Sequence, residues 1–238
     1  MGRNICADHI GERVENFIIT ITCLVIGITL RRFPQFPEET GKVLNLFVIY
    51  VALPALVLQQ IPGLSFSRDL LVPALMPWVM LFLSVFGVLV LSRILRWGRE
   101  VEGPLLLLVP LGNTSFLGIP MVKAFFGDQA VSYAVLYDQL GSFPQLATYG
   151  SLILALYGTS ESSPTVKEVL KKIITFPPFI ALLLAVMLKP VAYPAIVHTL
   201  LQTLASTLVP VIMIAVGFQL TLRLNKGLAT PLCLGLAI

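Results

Sequence analysis

Within an otherwise apolar stretch, Gly112-Asn113-Thr114-Ser115-Phe116-Leu117-Gly118-Ile119-Pro120 packs two glycines, three polar residues and a proline into nine positions. Pro120 has no N–H, and its ring clashes with the carbonyl four residues back, so a helix cannot run through it intact. Gly112 and Gly118 permit the backbone angles that a break requires. A half-helix starting near Ile119 would aim its positive end at the middle of that stretch and receive an anion such as a carboxylate. Asn113, Thr114 and Ser115 would add side-chain donors and acceptors beside it. The same residues also suit a Pro-kinked packing helix, in which the hydroxyls merely satisfy freed carbonyls. Asn113-Thr114-Ser115 also spells a glycosylation sequon, a false match at this depth.

Other ionisable side chains within apolar stretches are few. Asp138 is the one carboxylate deep in such a stretch, a placement that normally marks a cavity, a partner or an ion path. Its expected role is coupling or substrate contact, or else a structural bond to Gln139, Tyr137 or the carbonyl freed by Pro144. Lys123 either draws anions inward or snorkels to the outer interface. His198, Gln59 and Gln60 read as interfacial. Enzyme signatures are missing: Gly41-Lys42 lacks a Walker glycine at position 36, which is Phe36, and no HExxH or GxSxG occurs. An intramembrane aspartyl pair of Asp128 and Asp138 fails because Asp128 falls in a turn. No catalytic activity is expected. Cys6, Cys23 and Cys233 share no metal-binding spacing, so neither a metal nor a cofactor is expected.

The elements that hold these residues follow from composition. Of the 238 residues, 57% are hydrophobic and 12% charged, against about 45–50% and about 25% in soluble domains. Mean hydropathy is +0.91. The solvent for such a chain is lipid, and the excess of basic residues lies at the ends of apolar runs rather than in a patch for nucleic acid. Crossing about 30 Å of hydrocarbon takes about 20 apolar residues. Candidate spans are 17–30, 43–61, 70–92, 104–126 (broken), 130–157, 176–188 and 195–222, with an eighth beginning at Ala229. Gly158–Thr175 is a polar linker ending in an amphipathic turn that lies on the membrane. The N-terminal segment is not a signal peptide, since charged residues precede the apolar run and Arg31-Arg32 follow it.

Loops after the odd spans carry 11 Lys and Arg, and the remaining segments carry 5. The positive-inside rule therefore expects an outward N-terminus and a cytoplasmic 158–175 linker. Pro34 and Pro190, Pro37 and Pro194, and Pro54 and Pro210 stand 156, 157 and 156 residues apart. Each set follows a short span and ends inside a longer one. Either proline is simply common in membrane helices, or these are two copies separated by five spans and so inserted with opposite orientation.

The stretches Val43-Leu44-Asn45-Leu46-Phe47-Val48-Ile49-Tyr50-Val51-Ala52-Leu53-Pro54-Ala55-Leu56 and Gly112–Pro120, with Phe126-Gly127, resemble the auxin efflux carrier family, which includes bacterial malonate and malate permeases. The resemblance runs from the first span to the last residue. It implies an all-α integral membrane protein of the inverted-repeat transporter class, with ten spans in a 5+5 arrangement and a broken fourth span, here ending after about seven and a half. On that pattern 1–157 is the first repeat, 158–175 the linker and 176–238 an incomplete, inverted second repeat. The implied function is secondary transport of small organic anions by an elevator-like movement in the plasma or inner membrane. A non-transporting sensor or receptor on the same fold, or an inactive remnant, is the alternative. The family role of the fourth-span asparagine carries over to Asn113, and the crossing proline to Pro120. Ser115 departs from the glycine common in relatives. Expected substrate-binding residues are Asn113, Thr114, Ser115, Gly118 and Pro120, with Asp138 in coupling or contact and Gly112, Pro54 and Pro210 at hinges. Expected partners are an organic anion, the bilayer, and a proton or sodium ion; a homodimer stays open.

Overall fold

A computed structural model describes residues 2–64, 68–158, 165–190 and 193–220. All regular structure among them is helical, as lipid requires of a chain that must satisfy its own backbone. In chain order the α-helices are α1 (Gly2–Leu30), α2 (Thr40–Phe47), α3 (Leu53–Gln60), α4 (Leu71–Leu95), α5 (Arg99–Leu108), α6 (Ile119–Phe126) and α7 (Asp128–Tyr137). They continue as α8 (Phe143–Gln145), α9 (Ser151–Tyr157), α10 (Val166–Ile174), α11 (Pro177–Met187), α12 (Ala195–Ser206) and α13 (Leu208–Gln219).

Three helical stretches, Thr40–Gln60, Leu71–Leu95 and Ala195–Gln219, are long and apolar enough to cross a membrane. Lys167–Ile174 and Pro177–Met187 qualify only as a pair, bent by 61° at the break between them. The first span, expected to be short, is the shorter apolar helix Val14–Leu30, and the second half of the broken fourth span is Thr114–Phe126. The fifth runs without interruption from Asp128 to Tyr157, but polar residues such as Asp138, Gln139 and Gln145 dilute its apolarity. The eighth span falls outside the described residues.

Prolines shape these helices through a recurring device. Val48–Ala52, Thr114–Gly118 and Asp138–Ser142 are π-helical, and each ends two residues before a proline: Pro54, Pro120 and Pro144. A π turn bonds five residues on instead of four, which widens the helix where the proline ring would strike the preceding carbonyl. The expected break at Pro120 is therefore corrected. Helix α5 ends at Leu108, residues 109–113 are not helical, and the second half of the span starts at Thr114 instead of near Ile119. Pro110 lies in that break. The N–H it lacks would have bonded the Leu106 carbonyl, which accepts from the Tyr149 hydroxyl at 2.7 Å instead. At Pro144 the orphaned Leu140 carbonyl accepts from the Trp78 indole N–H at 3.3 Å.

The described helices form two compact units. The first comprises Met1–Phe66, Thr114–Val135 and Phe176–Thr221, and the second includes Ser67–Asn113 and Leu136–Thr175. In the first, α1 packs along α13, while α11 and α12 pack on α3. The approach of α1 to α13 is close enough that a Cβ on Gly27 would lie 2.2 Å from the Ile214 carbonyl oxygen. Only a residue without a side chain allows that contact. Val48, Leu53, Val57, Leu208 and Ile212 are buried here.

In the second unit, Val88, Leu105, Leu106 and Ile153 form a core ringed by Val85, Trp97, Tyr149 and Tyr157. Gly141 admits Pro77, whose Cγ would lie 2.1 Å from an added Cβ. Outward on α4, Phe82, Phe86 and Ile94 are each about 70% exposed (70%, 68% and 70%). Such a face has lipid as its natural solvent.

Candidate functional site

The first unit holds an open-mouthed cavity of about 440 Å³, within the size range of small-molecule sites. Six helices supply its walls. Asn16 and Thr20 come from α1, Gln59 and Gln60 from the end of α3, and Ile119, Pro120 and Lys123 from α6. Asp128 and Val131 come from α7, Gln202 and Ser206 from α12, and Leu208 and Pro210 from α13. Apolar side chains give the walls their shape, and convergent amides give them hydrogen-bonding capacity.

Local folding explains the placement of the polar groups. Gly127, with φ of +80°, turns α6 sharply into α7, so Lys123 in the last turn of α6 meets Asp128 in the first turn of α7. Their Nζ and Oδ1 atoms are 2.9 Å apart. Each charge also suits the helix end that carries it. The Ser132 hydroxyl donates to Gln60 Oε1 at 3.0 Å, so the Gln60 amide offers a ligand its N–H groups. The Thr20 hydroxyl donates to the Asn16 carbonyl at 2.7 Å, and the Ser206 hydroxyl to the Thr203 carbonyl at 2.7 Å. Among the described lining residues, Lys123 is the one cation and Asp128 the one carboxylate.

The residues expected from the sequence divide across the two units. Gly112 and Asn113 are exposed and non-helical at the end of one segment of the second unit, and Thr114 opens a segment of the first. Thr114, Ser115 and Gly118 are half-buried in the π turn and do not line the cavity. Pro120 and Pro210 do line it. Pro54 is half-buried beside it in sequence, with Leu56 on the wall.

Asp138 lies in the second unit, 1% exposed, and accepts from Gln139 Nε2 at 2.8 Å. Of the structural bonds considered for it, the one to Gln139 is present, whereas Trp78 takes the carbonyl freed by Pro144. Gln139 Oε1 and Gln145 Nε2, both buried, have no hydrogen-bond partner among the described residues. A further polar group stands at the start of α5. The Glu102 carboxylate accepts from the Ser92 hydroxyl and, at 2.5 Å, from the Tyr157 hydroxyl, while the Arg99 guanidinium lies 4.9 Å above the Tyr157 ring. These two hydrogen bonds, that from Ser92 foremost, hold the Glu102 carboxyl below the ordinary carboxylate range.

Several lining residues escaped the sequence reading: Asn16, Thr20, Gln202, Ser206, and the role of Asp128. A signal for four of them exists. Asn16 and Thr20, and Gln202 and Ser206, are polar pairs four residues apart, hence on one helix face within or beside an apolar run.

The profile of a family described as membrane transport protein matches residues 13–231. The chain belongs to this family, the auxin efflux carriers. This membrane transport protein is thus of a transporter family and not an enzyme. It is 29% identical over 218 residues to an uncharacterized transporter of Methanocaldococcus jannaschii, covering 88% of this chain and 69% of that protein. To an uncharacterized transporter of Methanothermobacter thermautotrophicus it is 28% identical over 221 residues, covering 88% and 68%.

Proposed function

We propose that this membrane transport protein is a secondary carrier of small organic anions, working by elevator-like alternating access in the plasma or inner membrane. The observation that carries the reading is the cavity of about 440 Å³ built on the half-helix after the break, with a lysine and several amides in its walls. The sequence reading assigns substrate contact to Asn113, Thr114, Ser115, Gly118 and Pro120, of which Pro120 lines this cavity, and hinge roles to Gly112, Pro54 and Pro210. Asp138 serves in coupling or in substrate contact. The N-terminus is outward and 158–175 is cytoplasmic.

Two features support the mechanism. The chain divides into two compact units, and one of its several crossings between them falls between Asn113 and Thr114, in the broken span. Within the first unit α1 packs on α13 while α11 packs on α3. In the repeat reading these are the first span of each copy against the second span of the other. A two-fold relation requires that reciprocity: if one such contact exists, so must its converse.

The test is uptake of radiolabelled malonate into proteoliposomes carrying the protein, with the neutral malonamide as competitor. Malonate should accumulate and malonamide should fail to compete. Replacing Asn113 with Ala removes an amide donor to a carboxylate, so binding should weaken by about 1.5–3 kcal/mol, roughly ten- to hundredfold. Equal competition by acid and amide, or an unchanged affinity in Asn113→Ala, would place the anion site elsewhere.

A further inference from the structure

We propose that Lys123 is the cation that takes the substrate carboxylate in the cavity, and that Asp128 is its resident counter-anion, displaced when substrate binds. The inference rests on the carrier reading above and assigns the recognition step within it. Both side chains line the cavity, and they pair at 2.9 Å across the α6–α7 corner. Among the described lining residues no other charge competes for either.

The exposure of the pair decides between a fixed staple and an exchangeable one. The Lys123 side chain is 33% exposed and that of Asp128 61%, so water screens the attraction and the net value of the pair is small. An incoming carboxylate therefore gives up little by taking Asp128's place on Nζ. It also gains charge-assisted bonds from neighbouring amides, Gln60 first, whose oxygen is already committed to Ser132. Asp128, once released, is exposed enough to be solvated. When substrate is absent the pair leaves the cavity electrically neutral. Asp128 thus sets the affinity without touching the substrate, and Lys123 sets it by contact.

A double-mutant cycle on malonate uptake in proteoliposomes tests this, using Lys123→Gln, Lys123→Arg, Asp128→Asn and Asp128→Asn/Lys123→Gln. Removal of the competitor in Asp128→Asn should raise apparent affinity by up to about fivefold, the equivalent of an exposed ion pair. Lys123→Gln should lower it by about tenfold or more, and Lys123→Arg should keep most of it. In the Lys123→Gln background, Asp128→Asn should have no effect. Thermal midpoints without ligand show which variants are folded, and Lys123→Arg keeps the corner pair as a control. Lower affinity in folded Asp128→Asn, or the same effect of that change with and without Lys123, overturns the proposal. Wild-type uptake that Lys123→Gln leaves unchanged overturns this proposal alone. Failure of the wild type to carry malonate or any other carboxylate tried overturns the carrier reading, and this proposal with it.

Discussion

The hydrogen bond from Tyr149 to Leu106 offers a sharp test of how the broken span is held. Pro110 removes the N–H that a helix would send to the Leu106 carbonyl, and the Tyr149 hydroxyl replaces it at 2.7 Å. Leu106 is only 3% exposed, so no water substitutes. Tyr149→Phe keeps the ring and deletes the donor. Leaving a buried carbonyl unpaired costs about 1–3 kcal/mol, and polar contacts inside membrane proteins fall at about 0.6–1.7 kcal/mol. A loss of about 1–2 kcal/mol is therefore expected, a fall in thermal midpoint of roughly 2–8 °C for a chain of this length. The assay is thermal unfolding in mild detergent of Tyr149→Phe, Pro110→Ala and the double variant. Alanine at 110 restores an N–H that can reach Leu106, so Tyr149→Phe should cost much less there, with a coupling of about 1 kcal/mol. Equal costs in both backgrounds would mean that the hydroxyl acts on something other than the carbonyl Pro110 leaves open.

Acid should destabilise the protein through Glu102, which lies before the fourth span. Its depressed pKa means a stabilisation that is present above the unfolded carboxylate value, ~4.3, and lost as pH falls through the folded value. Glu102→Gln should flatten the acid limb of a plot of thermal midpoint against pH, and an unchanged limb would assign it to other carboxylates. Helix α10 carries Lys167, Lys171 and Lys172 along one arc, with Val169, Leu170 and Ile173 on the other. Changing the three lysines to Gln should remove most of any stabilisation by anionic over neutral lipid nanodiscs, at about 1 kcal/mol per lysine; retention of that difference would mean α10 does not lie on the bilayer. Single cysteines at Glu38 and Gly63, both exposed, should label from opposite faces of the membrane, and same-side labelling would remove both the orientation and the inverted repeat.

What could be read from the sequence rests on properties each residue carries wherever it sits. Too few charged residues for a soluble surface, prolines without N–H groups, and glycines inside an apolar run identified lipid as solvent and the fourth span as interrupted. The family motif around Asn113 did the same for membership. The position of the break was a different matter. Pro110, Pro120 and Pro144 are chemically alike, yet the first lies in a gap and the other two follow π turns within continuous helix. What separates them is the neighbourhood the fold supplies, such as a Tyr149 hydroxyl for Leu106 and a Trp78 indole for Leu140. The cavity is the same case at larger scale. Asn16, Gln60, Lys123 and Gln202 are far apart in the chain; alone, Gln60 reads as interfacial, Lys123 as either drawing anions or snorkelling, and the other two carry no signal. Their meaning depends on which of them share a wall, and only tertiary packing settles that, because the cost of burying a polar group is set by the partners that distant segments bring to it.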